Sequence, residues 1–325
     1  MASHLEAVRP ISMEEILAAR RRIADTIVRT PLVKLDLGAG FPDVRLKLEN
    51  LQPTNSYKIR GAVNALALLS PAERARGVWT ISAGNAGQGV AYAARRFGVP
   101  CTVIAIETAP AAKLDRMRAL GATLIPLSYS AAWAALEQRS FPGVEGTFVH
   151  PFDDHNFIAG HATMGCEILE DAPDAALLIG AIGGGGLIAG VGTAMKSLKP
   201  DVRVWGAEPV TASPAAASFA AGSPQEFKAW KASFVDGAGG RSMFPRMWER
   251  LEPLLEGSIV VTLEETRAAM RLLAEKSRVV AEGAAAVAVA AAIKRHDAPG
   301  PVIAVVSGGN VDLSKFCELI GPGAI

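Results

Sequence analysis

From Val78 almost to its end the chain alternates short β-branched runs with stretches whose apolar positions recur every three or four residues. That rhythm predicts βαβ units laid on parallel sheets. "VWTIS", "CTVIAI", "ATLIPL" and "GTFVH" have the length and composition of strands. Between them, "GQGVAYAARRFG" sets Val90, Ala93, Ala94 and Phe97 on one helical face and stops at Gly98, and "AAKLDRMRALG" repeats the device with Gly121. These elements predict one compact α/β lobe. A second series predicts another doubly wound lobe, with "ALLIGAI", "VRVWGAE" and "PVIAVVS" as strands and helices near 156–169, 187–198, 263–276 and 282–295. The helix "MEEILAARRRIA" and the strand "DVRLKLE" join the second lobe, which makes the first an insertion. The expected division is a large domain of residues 1–70 and 152–325 and a small domain of 71–151. Residues 213–253 have little periodicity and predict no defined element. Two such lobes meet in a cleft, where α/β proteins bind ligands.

Composition narrows the partner. The 33 basic and 32 acidic residues nearly cancel, so no charge excess points to nucleic acid or an anionic membrane; a small molecule or another subunit is expected. Cys101, Cys166 and Cys317 are odd in number, far apart and outside any metal-ligand spacing, which fits packing residues in a reducing cytoplasm. The N-terminal stretch carries charges throughout and lacks the apolar core of a signal peptide. The most apolar late segment, 279–293, contains Glu282 and Gly283 and falls short of the roughly 20 residues of a membrane span. It predicts a buried helix.

Candidate chemistry begins in "ENLQPTNSYKIRGAVNALALL". Thr54, Asn55 and Ser56 are N-cap residue types, and Ala62, Ala65, Leu66 and Leu69 then share a helical face, so Lys58 falls in the first turn. The positive helix end, with Arg60 nearby, opposes protonation of its amine and makes a better nucleophile toward a carbonyl. Such dipole effects are only about 0.3 to 1 kcal/mol, so position alone favours an exposed lysine that tolerates the penalty. In "WTISAGNAGQGVAYAA", Ser82 to Asn85 form a strand-to-helix turn whose amides suit an anion. "LLIGAIGGGGLIAG" runs a strand into Gly183, Gly184, Gly185 and Gly186 and then a helix from Leu187, which suits a phosphate. Gly184, Gly186 and Ala189 also fit G-x-G-x-x-A, and Glu208, 22 residues beyond Gly186, stands where a dinucleotide fold keeps its ribose acid. The motif alone leaves a nicotinamide-dependent oxidoreductase open. In "VIAVVSGGNVDL", Ser307 ends a strand, as a helix cap or as a ligand-binding hydroxyl.

In this order the four segments resemble the fold type II pyridoxal-phosphate enzymes, tryptophan synthase β-like in fold, and specifically the serine/threonine dehydratase and serine racemase group. The first matches the family pattern K-x-E-x-x-Q-x-T-G-S-F-K-x-R-G-A, with Asn55 for glycine and Tyr57 for phenylalanine. The resemblance implies a pyridoxal 5'-phosphate cofactor on Lys58, with Asn85 at its phenolic oxygen, Gly183 to Gly186 and Leu187 at its phosphate and Ser307 at its ring nitrogen. Tyr57, Gly237 and Glu282 complete the implied cofactor site. It assigns the substrate carboxylate to the turn of Ser82, Ala83, Gly84 and Ala86. A neutral serine at the ring nitrogen weakens the electron sink and suits fast β-elimination. The implied activity is that of a dehydratase or ammonia-lyase, taking water from a 3-hydroxy amino acid and yielding a 2-oxo acid and ammonia. Family racemases use a second acid where this chain has Ala83, so racemisation is the lesser alternative. Ala86 replaces a family histidine, and substrate preference therefore does not carry over. Glu208 and Ala212 match family metal positions, but Pro214 replaces the second acid, and no tight metal site is expected. Asp236 beside Gly237 resembles part of the family's A-D-G segment. His150, His155 and His161 are expected to pack or cap, with "GHAT" in place of the family's G-Q-G-T. Family members often dimerise, so a homodimer is expected, with no regulatory extension beyond residue 325.

Overall fold

The computed structural model describes residues 7–107, 109 and 111–321. The first six residues and the end of the chain near Ile325, both used in the sequence reading, lie outside them. Helix α1 (Met13–Ile23) starts with a capping box between Ser12 and Glu15. Strands β1 (Leu32–Lys34) and β2 (Val44–Leu48) follow, then a 3-10 turn at Glu49–Leu51, helix α2 (Lys58–Ala67) and the short α3 (Pro71–Arg76).

The next stretch builds a four-stranded parallel sheet from β3 (Val78–Ile81), β4 (Cys101–Ile106), β5 (Thr123–Leu127) and β6 (Thr147–Phe148), in the order β5-β4-β3-β6. Helices α4 (Asn85–Phe97), α5 (Ala111–Ala119) and α6 (Tyr129–Gln138) connect them. α4 ends as its sequence predicts, with Gly98 in the left-handed conformation at φ +64°. The expected strand "GTFVH" shrinks to two residues, and α6 is an addition to the expected elements.

After α7 (His155–Asp171) come β7 (Leu177–Ala181), α8 (Gly186–Leu198), β8 (Arg203–Pro209), α9 (Pro214–Ala221), α10 (Pro245–Leu251) and β9 (Ser258–Val261). Then α11 (Leu263–Leu272) runs into a π-helical turn at Leu273–Ser277, followed by α12 (Gly283–Ile293), β10 (Val302–Val306) and α13 (Leu313–Ile320). The second sheet is ordered β1-β2-β10-β7-β8-β9, and all its pairs are parallel except β1 with β2. The strand "DVRLKLE" thus joins β10, pairing Val44 with Val302. α12 is buried over nearly its whole length, because Ala and Val on every face let it lie against the sheet. Among the described residues no helix is long and apolar enough to cross a membrane. The span 213–253 does contain helices, α9 and α10, each opened by a proline and too short for a periodic pattern to stand out.

α2 lies between the two sheets. Its Ile59, Ala62, Val63 and Leu66 pack in one core with Val78, Val90 and Val103, while its other side meets α7. Contact with α7 is close: a Cβ on Gly160 would lie 2.4 Å from the Arg60 carbonyl oxygen. A buried charge cluster fixes the same helix. Arg60 donates to both oxygens of Glu49 at 2.8 Å and to both of Glu167 at 2.7 and 2.8 Å, and Lys47 donates to Glu167 at 2.6 Å. Two positive and two negative side chains balance, so none is buried unpaired.

Candidate active site

Lys58 opens α2, but the residues expected to cap that helix do other work. The N-cap is Tyr57, in a helical conformation and with no side-chain cap bond. Residues 54–57 are instead tied to the end of β10: Tyr57 N donates to Ser307 O at 3.0 Å, Asn310 Nδ2 donates to Thr54 O at 2.9 Å, and Ser56 bridges to Gly308. Asn55 sits at φ +53°, a left-handed conformation that asparagine tolerates and most residues do not. This explains how it stands where the family pattern has glycine.

The Lys58 amine is held at a pKa of about 7. The cause is burial, opposed by the Glu282 carboxylate. Arg60 is not the cause, contrary to the sequence expectation, because its charge is absorbed by Glu49 and Glu167. Lys58 Nζ donates to the Pro151 carbonyl oxygen and stands 5.1 Å from the Tyr57 ring centre and 5.4 Å from that of Phe157.

A cavity of about 360 Å³ opens above the amine, and the strand ends of both sheets reach it. Tyr57, Lys58, Ser82, Ala83, Gly84, Asn85, Ala86, Gly184, Gly237, Glu282 and Ser307 all line it. A smaller adjoining space of about 40 Å³ is walled by Gly183, Gly184, Gly185, Gly186 and Leu187, and shares Tyr57, Lys58, Gly237 and Ser307 with the first. The structure therefore gathers every residue assigned to the site from sequence.

The glycine loop has the form of a cradle. A Cβ on Gly184 would meet the Phe152 ring at 2.0 Å, and one on Gly183 would meet Gly237 O at 2.8 Å. Gly185 lies at φ +88° and Ala189 N donates to its carbonyl, so the amides of Gly186, Leu187 and Ile188 are the unpaired donors of a helix start. Donors of this kind, with the positive helix end, fit a phosphate. A half-buried amine next to the cradle and a strand-end hydroxyl at Ser307 fit the remainder of a pyridoxal phosphate.

The opposite rim is polar and internally paired. Asn85 Nδ2 donates to Glu282 Oε1 at 2.7 Å and Asn310 Nδ2 donates to Asn85 Oδ1 at 2.7 Å. Burial first, and the Asp236 charge second, raise Glu282 to about 7. Asp236 pairs with Lys113. On the near side, Gly84 N donates to Ser82 Oγ at 3.2 Å and shapes the turn before α4.

Sequence reasoning missed Pro151 and Phe152, which follow β6 in "FVHPF", as well as Lys113 and the apolar Ile81, Ile106 and Leu136. Position just after a strand was the available signal for Pro151 and Phe152; the others lay in helices or strands with no motif. Glu208 lies away from the cavity. It has no exposed surface and accepts from Ala215 N, Ala216 N and Ser258 Oγ, each at 2.8 Å. The nicotinamide alternative needs this carboxylate free for a ribose, and the first turn of α9 has taken it. His150 Nδ1 accepts from Phe152 N and Asp153 N, His155 Nε2 meets Glu15, and His161 packs edge-on against Tyr57 and Phe157.

The comparisons agree with this geometry. The model of the family described as "Pyridoxal-phosphate dependent enzyme" matches residues 23–308. An L-threonine ammonia-lyase of Thermotoga maritima is 39% identical over 323 residues, covering 97% of this chain and 79% of that protein. A catabolic L-threonine dehydratase of Staphylococcus aureus is 35% identical over 328 residues, with 98% and 94% covered. Among solved structures, the T.th. threonine deaminase superposes with a TM-score of 0.83 at 34% identity, over 93% of this chain and 99% of that one. Maize serine racemase gives 0.85 at 29%, over 95% and 97%. With its lysine, glycine cradle and strand-end serine assembled around one cleft, the chain belongs to the pyridoxal-phosphate dependent enzymes.

Proposed function

We propose that the chain is a pyridoxal-phosphate dependent dehydratase, or ammonia-lyase, that eliminates water from a 3-hydroxy amino acid and yields a 2-oxo acid and ammonia. The observation that carries this reading is Lys58, a half-buried amine with a pKa of about 7 at the junction of the cavity and the glycine cradle. Relatives named for L-threonine support the 3-hydroxy amino acid class.

Bound pyridoxal phosphate supplies an aldehyde that captures amines and a ring that accepts the electron pair left when an α-proton departs. Gly183 to Gly186 and Leu187 would hold its phosphate by backbone amides, Tyr57 and Gly237 would stand beside it, and Ser307 would offer a neutral hydroxyl to its ring. Asn85, braced by Glu282 and Asn310, offers its remaining N–H toward the cleft. The turn of Ser82, Ala83, Gly84 and Ala86 receives the substrate carboxylate. The free Lys58 amine would serve as the base for the α-proton, and a pKa near neutrality matches that task. One water leaves with the 3-hydroxyl and one is consumed as ammonia is released. Ala83, which lines the cavity and stands where family racemases carry their second acid, has only a methyl, which favours elimination over racemisation.

The finer assignments are part of the same proposal. Residues 71–151 form an inserted small domain that carries the carboxylate turn, and residues 1–70 and 152–325 carry the cradle. The protein acts as a homodimer in the cytoplasm, in keeping with its three free cysteines. Ammonia and 2-oxo acid formation from serine and threonine tests the reaction. Lys58→Ala is expected to abolish both products and the borohydride-trapped adduct at this side chain; product formation that survives the substitution would reject the assignment.

A further inference from the structure

We infer that the preferred substrate carries an apolar β-substituent larger than a methyl group, with an aromatic ring as the best fit, and that Ala86, Leu136 and Phe152 select it. The inference rests on the dehydratase reading and adds a substrate class to it.

The cavity has two unlike sides. Its charged and amide groups pair with one another, Asn85 with Glu282 and Lys113 with Asp236. The lining also includes Ile81, Ala86, Ile106, Leu136 and Phe152, which offer no side-chain hydrogen bond to a small polar or charged β-group. Ile81, Ile106, Leu136 and Phe152 belong to one apolar cluster, so these four make a continuous wall, and Ala86 adds to the lining from outside it. Ala86, where the family pattern has histidine, lines the same cavity with only a methyl group.

The wall is also preformed. The Phe152 ring rests on Gly184, where no Cβ could be accommodated, and stands edge-on to His150 at 4.4 Å and to Phe244 at 5.2 Å. Phe244 in turn stands edge-on to Trp133 at 5.4 Å. Rings interlocked in this way resist collapse into a space left by a small substrate. Leu136 limits the depth, because a second cavity of about 450 Å³ lies beyond it and the two share only this side chain among their lining residues. A methyl or a hydrogen at the β-carbon leaves the wall facing empty space. A ring covers it, and each methylene-sized increment in an apolar pocket is worth roughly 10- to 200-fold in selection.

The test uses the holoenzyme and two probes without a 3-hydroxyl, which bind but are not dehydrated. Calorimetric titration is expected to give L-phenylalanine at least tenfold tighter binding than L-alanine, and kcat/KM for 3-phenylserine is expected to exceed that for serine by at least tenfold. Leu136→Trp should reverse both ratios by tenfold or more, with the cofactor's visible band retained as the sign of a folded site; Ala86→Leu should act in the same direction if Leu136→Trp does not fold. Equal or tighter alanine binding, or ratios unmoved in a folded variant, would overturn the inference. If no 3-hydroxy amino acid releases ammonia, the dehydratase reading fails while the alanine-to-phenylalanine ratio still decides the pocket.

Discussion

At the scale of single residues, two groups with pKa values near 7 face the same cavity, and their signs can be separated. Lys58 is depressed from its ordinary value, so it is an ammonium below about pH 7 and a free amine above. Only the free amine condenses with an aldehyde. The rate at which the cofactor-free protein captures pyridoxal phosphate is therefore expected to rise about tenfold per pH unit below pH 7 and to level off above it. An exposed lysine would keep gaining to about pH 10, and a stopped-flow profile that climbs through pH 9 would contradict the buried amine. Glu282 acts on this profile because its carboxylate is the charge that opposes the depression. Glu282→Gln removes that charge and keeps an acceptor for Asn85, so the midpoint should move below 7; a midpoint that stays or rises would show that Glu282 is already neutral when Lys58 titrates.

At the scale of elements, the position of α2 matters as much as the identity of its first residue. Arg60 pins the helix to the turn after β2 through Glu49 and to α7 through Glu167. Replacing it with methionine leaves Glu49 without its guanidinium and Glu167 with Lys47 alone, a loss expected to cost about 3 to 5 kcal/mol. Denaturant unfolding of the cofactor-free protein measures it, and a cost under about 1 kcal/mol would mean that the cluster is dispensable. Much of this level was legible in the sequence. The strands of the first sheet and the helices α4, α5, α7 and α8 follow from apolar periodicity and glycine stops. Most of the motif residues converge because they follow the end of a parallel strand or open a helix, whereas Gly237 comes from the loop between α9 and α10. Less legible were α9 and α10, whose few residues follow prolines, and the role of Glu208, whose spacing from Gly186 imitated a ribose acid while its carboxylate ties α9 to β9. The source of the Lys58 shift was also hidden, since burial and the pairing of Arg60 are tertiary facts that no local pattern carries.

At the scale of the whole molecule, the site exists only while the two sheets keep their strand ends together, and α5 supplies direct ties between them. Arg116 donates to Asn310 Oδ1 at 2.8 Å and to Asn55 Oδ1 at 2.7 Å, joining the helix between β4 and β5 to both the end of β10 and the segment before Lys58. Lys113, one turn earlier, reaches Asp236. Arg116 is exposed, so its loss should cost the isolated fold less than about 1 kcal/mol. Its effect is expected to be larger in the cofactor-filled protein, because a ligand that binds across the cleft stabilises only the arrangement in which both sides touch it. Arg116→Ala is therefore expected to leave the melting temperature of the cofactor-free protein within about 2 °C of its original value. The holoenzyme should melt several degrees lower and release cofactor several-fold faster on dilution. Equal destabilisation of both forms would assign Arg116 to the fold alone, and an unchanged release rate would place the closing force elsewhere than in α5.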